Sequence, residues 1–225
     1  MLCASCRLHA SLCICALVPR LHTRTRLVLL VTQSEARKPS NTGQLAARCL
    51  ANSTVEIVRK NSGPLQAPAI HAGELPLVLY PAPHAIPLTA QAASRSVALI
   101  VPDGSWHQAR ALQQRAALRN HTCVTLPPLG PSEYRLRSEP QAGGLATFEA
   151  IARALRILED DDAIADTMLH VFRTMVERTL WFRGKLHAHE VTGGIPAAAL
   201  ANDPRGTATR AAALTTAAVA SSREA

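Results

Sequence analysis

The chain has 225 residues, of which 48% are hydrophobic but only 3% aromatic, and it carries a formal net charge of +8. This length fits one domain with a substantial core, with or without short appendages. No apolar run reaches the roughly 18 residues that a membrane span needs. Cys3, Cys6 and Arg7 stand where the hydrophobic segment of a signal peptide would begin. We therefore expect a cytoplasmic protein without a membrane span.

Most of the positive charge lies in the amino-terminal third. The first 60 residues contain nine lysines and arginines against two acidic residues. Such an excess is typical of a surface that binds a polyanion, with nucleic acid as the first candidate. A solvated basic face is the alternative, and charge alone does not decide between them. No feature of the sequence indicates an obligate protein partner.

Four of the six cysteines fall within thirteen residues, at Cys3, Cys6, Cys13 and Cys15. In a chain without a secretion signal, this clustering favours metal ligation over disulfides. Four thiolates complete a tetrahedral zinc site with no open position. We predict a structural zinc in a Cys-rich element over residues 1–22, and a redox pair or unoccupied thiols is the alternative.

Residues 26–32 form a near-continuous apolar run, which is typical of a strand covered on both faces. A polar loop follows, and then a helix is predicted over residues 42–51. Residues 55–58 alternate like an edge strand, and residues 75–81 read as the next strand.

The central strand is predicted over residues 97–101, with Pro102 ending it. Ser105 and Gln108 have capping-box spacing, so a helix should begin there. Its apolar side is predicted to consist of Trp106, Ala109, Leu112 and Ala116. Asp103 therefore lies between a strand's carboxyl end and a helix's amino end, where open α/β sheets bind ligands. The plainer interpretation makes Asp103 a turn or cap residue and Trp106 a core anchor.

The carboxyl-terminal half continues the alternation of strands and helices. A strand is predicted over residues 122–126, and a helix is predicted to begin near Thr147 with that residue as its cap. Arg135 and Arg137 could clamp a phosphate or carboxylate, or lie on a solvated surface loop. Helical spacing continues over residues 168–180. Residues 193–225 are rich in alanine without convincing periodicity, and they predict a flexible tail. The pattern as a whole predicts an α/β fold with several buried strands.

Several ordered segments resemble one family. Asp103-Gly104-Ser105-Trp106 is similar to the Asp-x-Thr-Trp signature of the DTW-domain family, with serine in place of threonine. The companion segments are the Cys-rich start, Glu35 followed by Asn41-Thr42-Gly43, Leu79-Tyr80-Pro81, Ser132-x-Tyr134-x-x-Arg137 and Thr147-x-Glu149-Ala150. Thr32 stands where that family usually has histidine, which leaves the role of that histidine open here.

The resemblance implies a mostly parallel sheet with flanking helices, related to that of the SPOUT methyltransferases and containing a trefoil knot, over a catalytic domain of residues 23–192. It implies transfer of the 3-amino-3-carboxypropyl group from S-adenosylmethionine to N3 of a tRNA uridine, with methylthioadenosine released. The catalytic residues expected on this basis are Asp103 as the base and Trp106 as a stacking wall. The expected S-adenosylmethionine-binding residues are Tyr80, Pro81, Asp103, Ser105, Leu126, Tyr134, Arg135, Thr147 and Glu149. The expected tRNA-binding residues are Arg37, Lys38, Asn41, Thr42 and Arg137.

Two other functions fit the same residues. A SPOUT-type RNA methyltransferase would share the fold, the S-adenosylmethionine and the RNA substrate, and would release S-adenosylhomocysteine instead. A non-catalytic zinc-containing RNA-binding module would use Asp103 only as a cap.

Overall fold

The computed structural model describes residues 1–59, 65–90, 92, 95–128, 130–136, 143–201 and 203. Arg137, a predicted tRNA-binding residue, lies outside these residues, and so does the predicted tail beyond residue 203. Across the described ranges, no helix combines the length and the apolarity needed to cross a membrane.

One parallel sheet organises the chain. Within the described residues it has six strands in the order β2-β1-β5-β3-β6-β4, and every neighbouring pair is parallel. This confirms the predicted α/β class with a parallel sheet. The strands are β1 Arg26–Thr32, β2 Ser53–Val58, β3 Leu75–Leu79, β4 Ile86–Pro87, β5 Val97–Asp103 and β6 Thr122–Thr125.

Strands β1 and β5, which are neighbours in the sheet, are buried on both faces. Residues 27–31 of β1 and all seven residues of β5 are buried, as their continuous apolar sequence predicted. β2, at the sheet edge, is partly exposed along its whole length, with Ile57 54% exposed. The edge strand that the alternation of its sequence predicted is therefore confirmed.

The prediction that Pro102 ends the central strand is wrong, because β5 continues through it to Asp103. Pro102 pairs with Leu30 of β1, whereas β3 pairs with β5 only as far as Ile100. One side of the strand is thus unpaired at Pro102, and a residue without an N–H is tolerated at such a position.

In the described part of the chain, α-helices follow β1, β5 and β6. They are α1 Gln33–Ala36, α2 Gly43–Arg48, α3 Trp106–Gln113, α4 Ala116–Arg119, α5 Thr147–Glu159, α6 Asp162–Phe182 and α7 Ala197–Leu200. The capping box that starts α3 is confirmed, because the Ser105 hydroxyl accepts from Gln108 N and the Gln108 amide oxygen accepts from Ser105 N. Ala116 does not continue this helix, which ends at Gln113, and begins α4 instead.

The chain divides into two compact units. One is Ala16–Phe172, which contains the whole sheet, and the other combines Met1–Cys15 with the described residues from Arg173 onward. In the second unit, α7 lies within the segment predicted as a flexible tail, and its residue Ala199 is buried. The boundaries predicted after residues 22 and 192 stay predictions, as do the trefoil knot and the relation to SPOUT proteins.

Candidate functional site

The sheet has its topological switch point between β1 and β5. The chain leaves β1 for β2 on one side, whereas it leaves β5 for β6, which lies beyond β3 on the other side. The carboxyl ends of β1 and β5 are adjacent, with Val31 paired to Asp103. Ligands of open α/β sheets bind in the crevice that such diverging connections leave.

A cavity of about 430 Å³ opens at this switch point. Its volume lies in the range of small-molecule sites, about 300–1,000 Å³. Asp103, Asn41 and Thr147 contribute polar groups to its lining, while Tyr80 and Trp106 contribute aromatic ones. The cavity therefore combines an apolar wall with a few convergent polar groups.

Asp103 is buried, with 3% of its surface exposed, and two side chains hold its carboxylate. Asn41 Nδ2 donates to Oδ2 at 2.7 Å, and the Thr147 hydroxyl donates to Oδ1 at 2.6 Å. These two hydrogen bonds fix the orientation of the carboxylate. Thr147 was predicted as a helix cap, but the N-cap of α5 is Ala146, and the Thr147 hydroxyl turns to Asp103 instead.

Gly43, the first residue of α2, makes room for that carboxylate. A Cβ at this position would lie 2.6 Å from Asp103 Oδ2 and 3.1 Å from Asp103 Cγ, closer than side chains pack. Sequence reasoning gave this glycine no role. The available signal was a glycine at the start of a helix, since glycine is a poor helix former.

Aromatic side chains form the walls. The rings of Tyr80 and Trp106 lie 6.4 Å apart at 58°, next to Ser105 at the start of α3. Tyr134 also lines the cavity, and its hydroxyl donates to the carbonyl of Ser40 at 2.9 Å. This bond joins the loop after β6 to the loop after β1, so both loops shape the same cavity.

Most of the residues predicted to bind S-adenosylmethionine come together here. Tyr80, Pro81, Asp103, Ser105, Tyr134 and Thr147 all line the cavity, whereas Leu126, Arg135 and Glu149 are not among the described residues that line it.

The Glu149 carboxylate accepts three hydrogen bonds from the surrounding chain. Its oxygens accept from the Ser132 hydroxyl at 2.5 Å, Glu133 N at 2.7 Å and Ala146 N at 3.0 Å. Glu149 is 1% exposed, so its geometry suits holding the loop that carries Tyr134 against the start of α5.

The predicted tRNA-binding residues separate into two groups. Asn41 and Thr42 line the cavity, and the Thr42 hydroxyl accepts from Phe148 N at 3.3 Å. Arg37 and Lys38 are exposed, and Lys38 Nζ pairs with a Glu35 oxygen at 2.5 Å. Of the four predicted tRNA-binding residues that the structure describes, Asn41 and Thr42 thus belong to the cavity lining, and Arg37 and Lys38 are exposed.

Thr32, at the position where the family usually has histidine, lies beside the start of α3. Its hydroxyl donates to the Gln108 amide oxygen at 3.3 Å, and Gln108 Nε2 donates to the Ser34 hydroxyl at 2.9 Å. A Cβ at Gly104 would lie 3.4 Å from Thr32 Oγ1. Thr32 therefore joins the end of β1 to the turn after Asp103.

The four amino-terminal cysteines cluster as predicted. All six cysteines are free thiols, and the sulfurs of Cys3, Cys6, Cys13 and Cys15 all lie within 4.8 Å of one another. The distances from Cys3 to Cys13 and Cys15 are 3.6 and 3.7 Å, and that from Cys6 to Cys13 is 3.8 Å. A zinc tetrahedron with bonds of about 2.3 Å has sulfurs about 3.8 Å apart. The donor set and its spacing therefore fit zinc.

Backbone and side-chain donors surround this cluster. Cys15 N points at the Cys13 sulfur at 3.5 Å. In the same unit, the guanidinium of Arg178 donates to the carbonyls of Cys13 at 3.1 Å and Leu12 at 3.5 Å. Arg178 is buried, and burial lowers its pKa. Sequence reasoning missed this arginine because it is 165 residues from Cys13.

The fold and the cavity define an α/β protein with a small-molecule crevice at the switch point of a parallel sheet. The chain belongs to the DTW domain family, whose model matches residues 1–180. The predicted family resemblance is thereby confirmed.

Relatives from three animals are each named tRNA-uridine aminocarboxypropyltransferase 2. That of Macaca fascicularis is 30% identical over 185 residues, which cover 77% of this chain and 61% of the relative. That of Mus musculus is 28% identical over 183 residues, which cover 77% of this chain and 61% of the relative. That of Drosophila melanogaster is 31% identical over 106 residues, or 46% of this chain and 42% of the relative. The matched part of the chain thus spans less than two thirds of each of these relatives. No solved structure matches the chain.

Proposed function

We propose that this protein transfers the 3-amino-3-carboxypropyl group of S-adenosylmethionine to N3 of a uridine in tRNA. Membership of the DTW domain family and the names of the three relatives support this proposal. The observation that carries it is the buried Asp103 carboxylate, oriented by Asn41 and Thr147 beside an aromatic-walled cavity.

The reaction requires one bond to form and one to break. The uridine N3 attacks the methionine Cγ, the Cγ–S bond breaks, and its electron pair neutralises the sulfonium to give methylthioadenosine. The proton on N3 needs an acceptor, and we assign this role to the Asp103 carboxylate, which lines the cavity at the end of β5. The bonds from Asn41 and Thr147 fix the orientation of this carboxylate in the proposed reaction.

Residues around Asp103 are proposed to hold the two substrates. S-adenosylmethionine would contact Tyr80, Pro81, Ser105, Tyr134 and Thr147, which line the cavity. The ring of Trp106 is proposed to stack on the uridine, since unpaired bases stack on aromatic side chains. In this proposal Glu149 positions Tyr134 instead of touching either substrate.

The zinc proposed for the Cys cluster has a structural role. Four thiolates leave no open coordination position for a substrate, and such sites contribute folding free energy instead of catalysis. In this proposal, Asp103 takes part in the reaction, and the zinc bound by the four cysteines stabilises the fold.

The proposed function is tested by the mass of the product. Purified protein, S-adenosylmethionine and unmodified tRNA should give RNA that has gained one aminocarboxypropyl group, together with an equal amount of methylthioadenosine. Nuclease digestion followed by mass spectrometry measures the first product, and liquid chromatography measures the second. tRNA incubated without S-adenosylmethionine is the control.

The alternatives give different results in the same reaction. A methyl-sized gain with S-adenosylhomocysteine would identify a SPOUT-type methyltransferase. tRNA binding without any gain in mass, across a broad set of tRNAs, would identify a non-catalytic RNA-binding module. Either result would overturn the proposal.

Substitution of Gly43 by alanine should impair the proposed reaction more than folding. The new Cβ would lie 2.6 Å from Asp103 Oδ2 and displace the carboxylate from Asn41 and Thr147. We expect single-turnover transfer to fall at least about tenfold, since misplacement by 1 Å has cost about 100-fold elsewhere. The melting temperature should change by only a few degrees, because alanine favours the helix that residue 43 begins. Wild-type transfer by a correctly folded variant would contradict this account of the glycine.

A further inference from the structure

A second groove lies beside the cavity, in the same compact unit. Its volume is about 470 Å³, and its lining includes Tyr80, His84, Arg110, Gln113 and Arg119. Tyr80 also lines the first cavity. The two spaces therefore meet at one tyrosine.

Helix α3 leads from one space to the other. Trp106 lines the cavity, and Arg110, four residues later, lines the groove. Residues four apart lie on the same face of a helix, about 6 Å apart along its axis. A ligand that stacks on Trp106 can therefore continue along α3 to Arg110 without leaving that face.

The charge around the groove is positive. Residues 75–132 contain four arginines and a single acidic residue, Asp103, and Asp103 is buried in the neighbouring cavity. Arg110 and Arg119 are exposed, and neither guanidinium makes a hydrogen bond or ion pair with another residue in the described part of the chain. Two exposed arginines thus line one groove.

The chemistry of the groove suits phosphate groups. Arginine presents a planar fork that binds phosphate oxygens with two parallel hydrogen bonds. Burial raises the pKa of Tyr80, so its hydroxyl stays protonated and able to donate at neutral pH. Two arginines and one phenol make a recognition surface for a polyanion and not for the sulfonium of S-adenosylmethionine.

We propose that this groove binds backbone phosphates of the tRNA next to the uridine that enters the cavity. The inference rests on the proposed function for the identity of the RNA. It adds a binding surface on α3 and α4, separate from the basic loop that contains Arg37 and Lys38.

The test compares two double variants with the same loss of charge. Arg110→Gln combined with Arg119→Gln removes the groove arginines. Arg95→Gln combined with Arg115→Gln removes two other exposed arginines of the same segment, neither of which lines the groove. Affinity for unmodified tRNA is measured at several salt concentrations, together with S-adenosylmethionine affinity and the melting temperature.

The groove variant should bind tRNA about tenfold more weakly, and its slope of log affinity against log salt should be smaller by about two, one for each lost phosphate contact. Its S-adenosylmethionine affinity and melting temperature should stay at the wild-type values. The control variant should bind tRNA within about twofold of wild type, with a slope changed by less than one.

Equal effects of the two double variants, an unchanged salt slope in the groove variant, or no tRNA binding by the wild type would each overturn the inference. Failure of the proposed function has a different result. In that case the wild type forms no aminocarboxypropyl-tRNA, whatever the salt slope of the groove variant.

Discussion

Replacing Asp103 by asparagine is expected to reduce single-turnover transfer to tRNA at least about 100-fold, the lower end of what a general base contributes. An amide cannot accept the uridine N3 proton. Affinity for S-adenosylmethionine should fall less than about threefold, because in this proposal most of its contacts come from other residues of the cavity.

The variant should remain folded. The asparagine oxygen can still accept from Asn41, and its NH2 group can donate to the Thr147 hydroxyl, which serves as donor or acceptor. The hydrogen bonds to Asn41 and Thr147 can therefore both be kept, and the cost of about 1–3 kcal/mol for a buried polar group without a partner is avoided for these two residues. A melting curve with a midpoint within a few degrees of wild type checks this.

Thr147 offers a matched pair of variants. Thr147→Val removes the hydroxyl that donates to Asp103 at 2.6 Å but keeps the side-chain shape, whereas Thr147→Ser keeps the hydroxyl. The rate of transfer should fall about tenfold in the valine variant, because a hydrogen bond to a charged group contributes enough free energy for such a change. In the serine variant the rate should stay near the wild-type value.

A wild-type rate of transfer by the Asp103→Asn variant would contradict the proposed role of Asp103 as the base and favour a role as a turn residue only.

Loss of metal from the cysteine cluster is expected to have the largest effect on stability. The protein purified from zinc-supplemented, reducing medium should contain about one equivalent of zinc, because four sulfurs already lie at tetrahedral spacing. Chelation should lower the melting temperature by at least about ten degrees, since structural zinc binding supplies folding free energy. Optical spectra of the cobalt-substituted protein would report four thiolate ligands.

A cysteine outside the cluster provides the control. Cys13→Ser should lose the metal, whereas Cys49→Ala should retain it. Burial raises the pKa of the Cys49 thiol to about 12, so that thiol is protonated at neutral pH and is a poor ligand. Less than a tenth of an equivalent in zinc-replete, reduced protein would contradict the prediction, and so would equal metal loss from both variants.

Local patterns in the sequence were sufficient to locate several elements. β1 is predicted by an apolar run, and the start of α3 by the Ser105–Gln108 spacing, because the interactions that form a cap join residues three apart. The cysteine cluster is also local, since its four thiols fall within thirteen residues. The predictions for Pro102 and Thr147 were wrong because each residue was interpreted from its sequence neighbours alone. Pairing with β1 keeps Pro102 in the strand, and a hydrogen bond to Asp103 sets the role of the Thr147 hydroxyl.

The sequence by itself determined the α/β class, the position of Asp103 at a strand end, the grouping of four cysteines near the amino terminus and the family. Only the tertiary structure decided what surrounds Asp103. Asn41 is 62 residues away from it and Thr147 is 44 residues away, and the need for glycine at position 43 appears only when α2 meets the end of β5. The same holds for Tyr80, which follows β3, and Arg110, which lies in α3, because the fold brings both to one groove. Propensity and spacing describe contacts between near neighbours, whereas these contacts exist because strands far apart in the chain pair side by side and bring their carboxyl ends to one edge of the sheet.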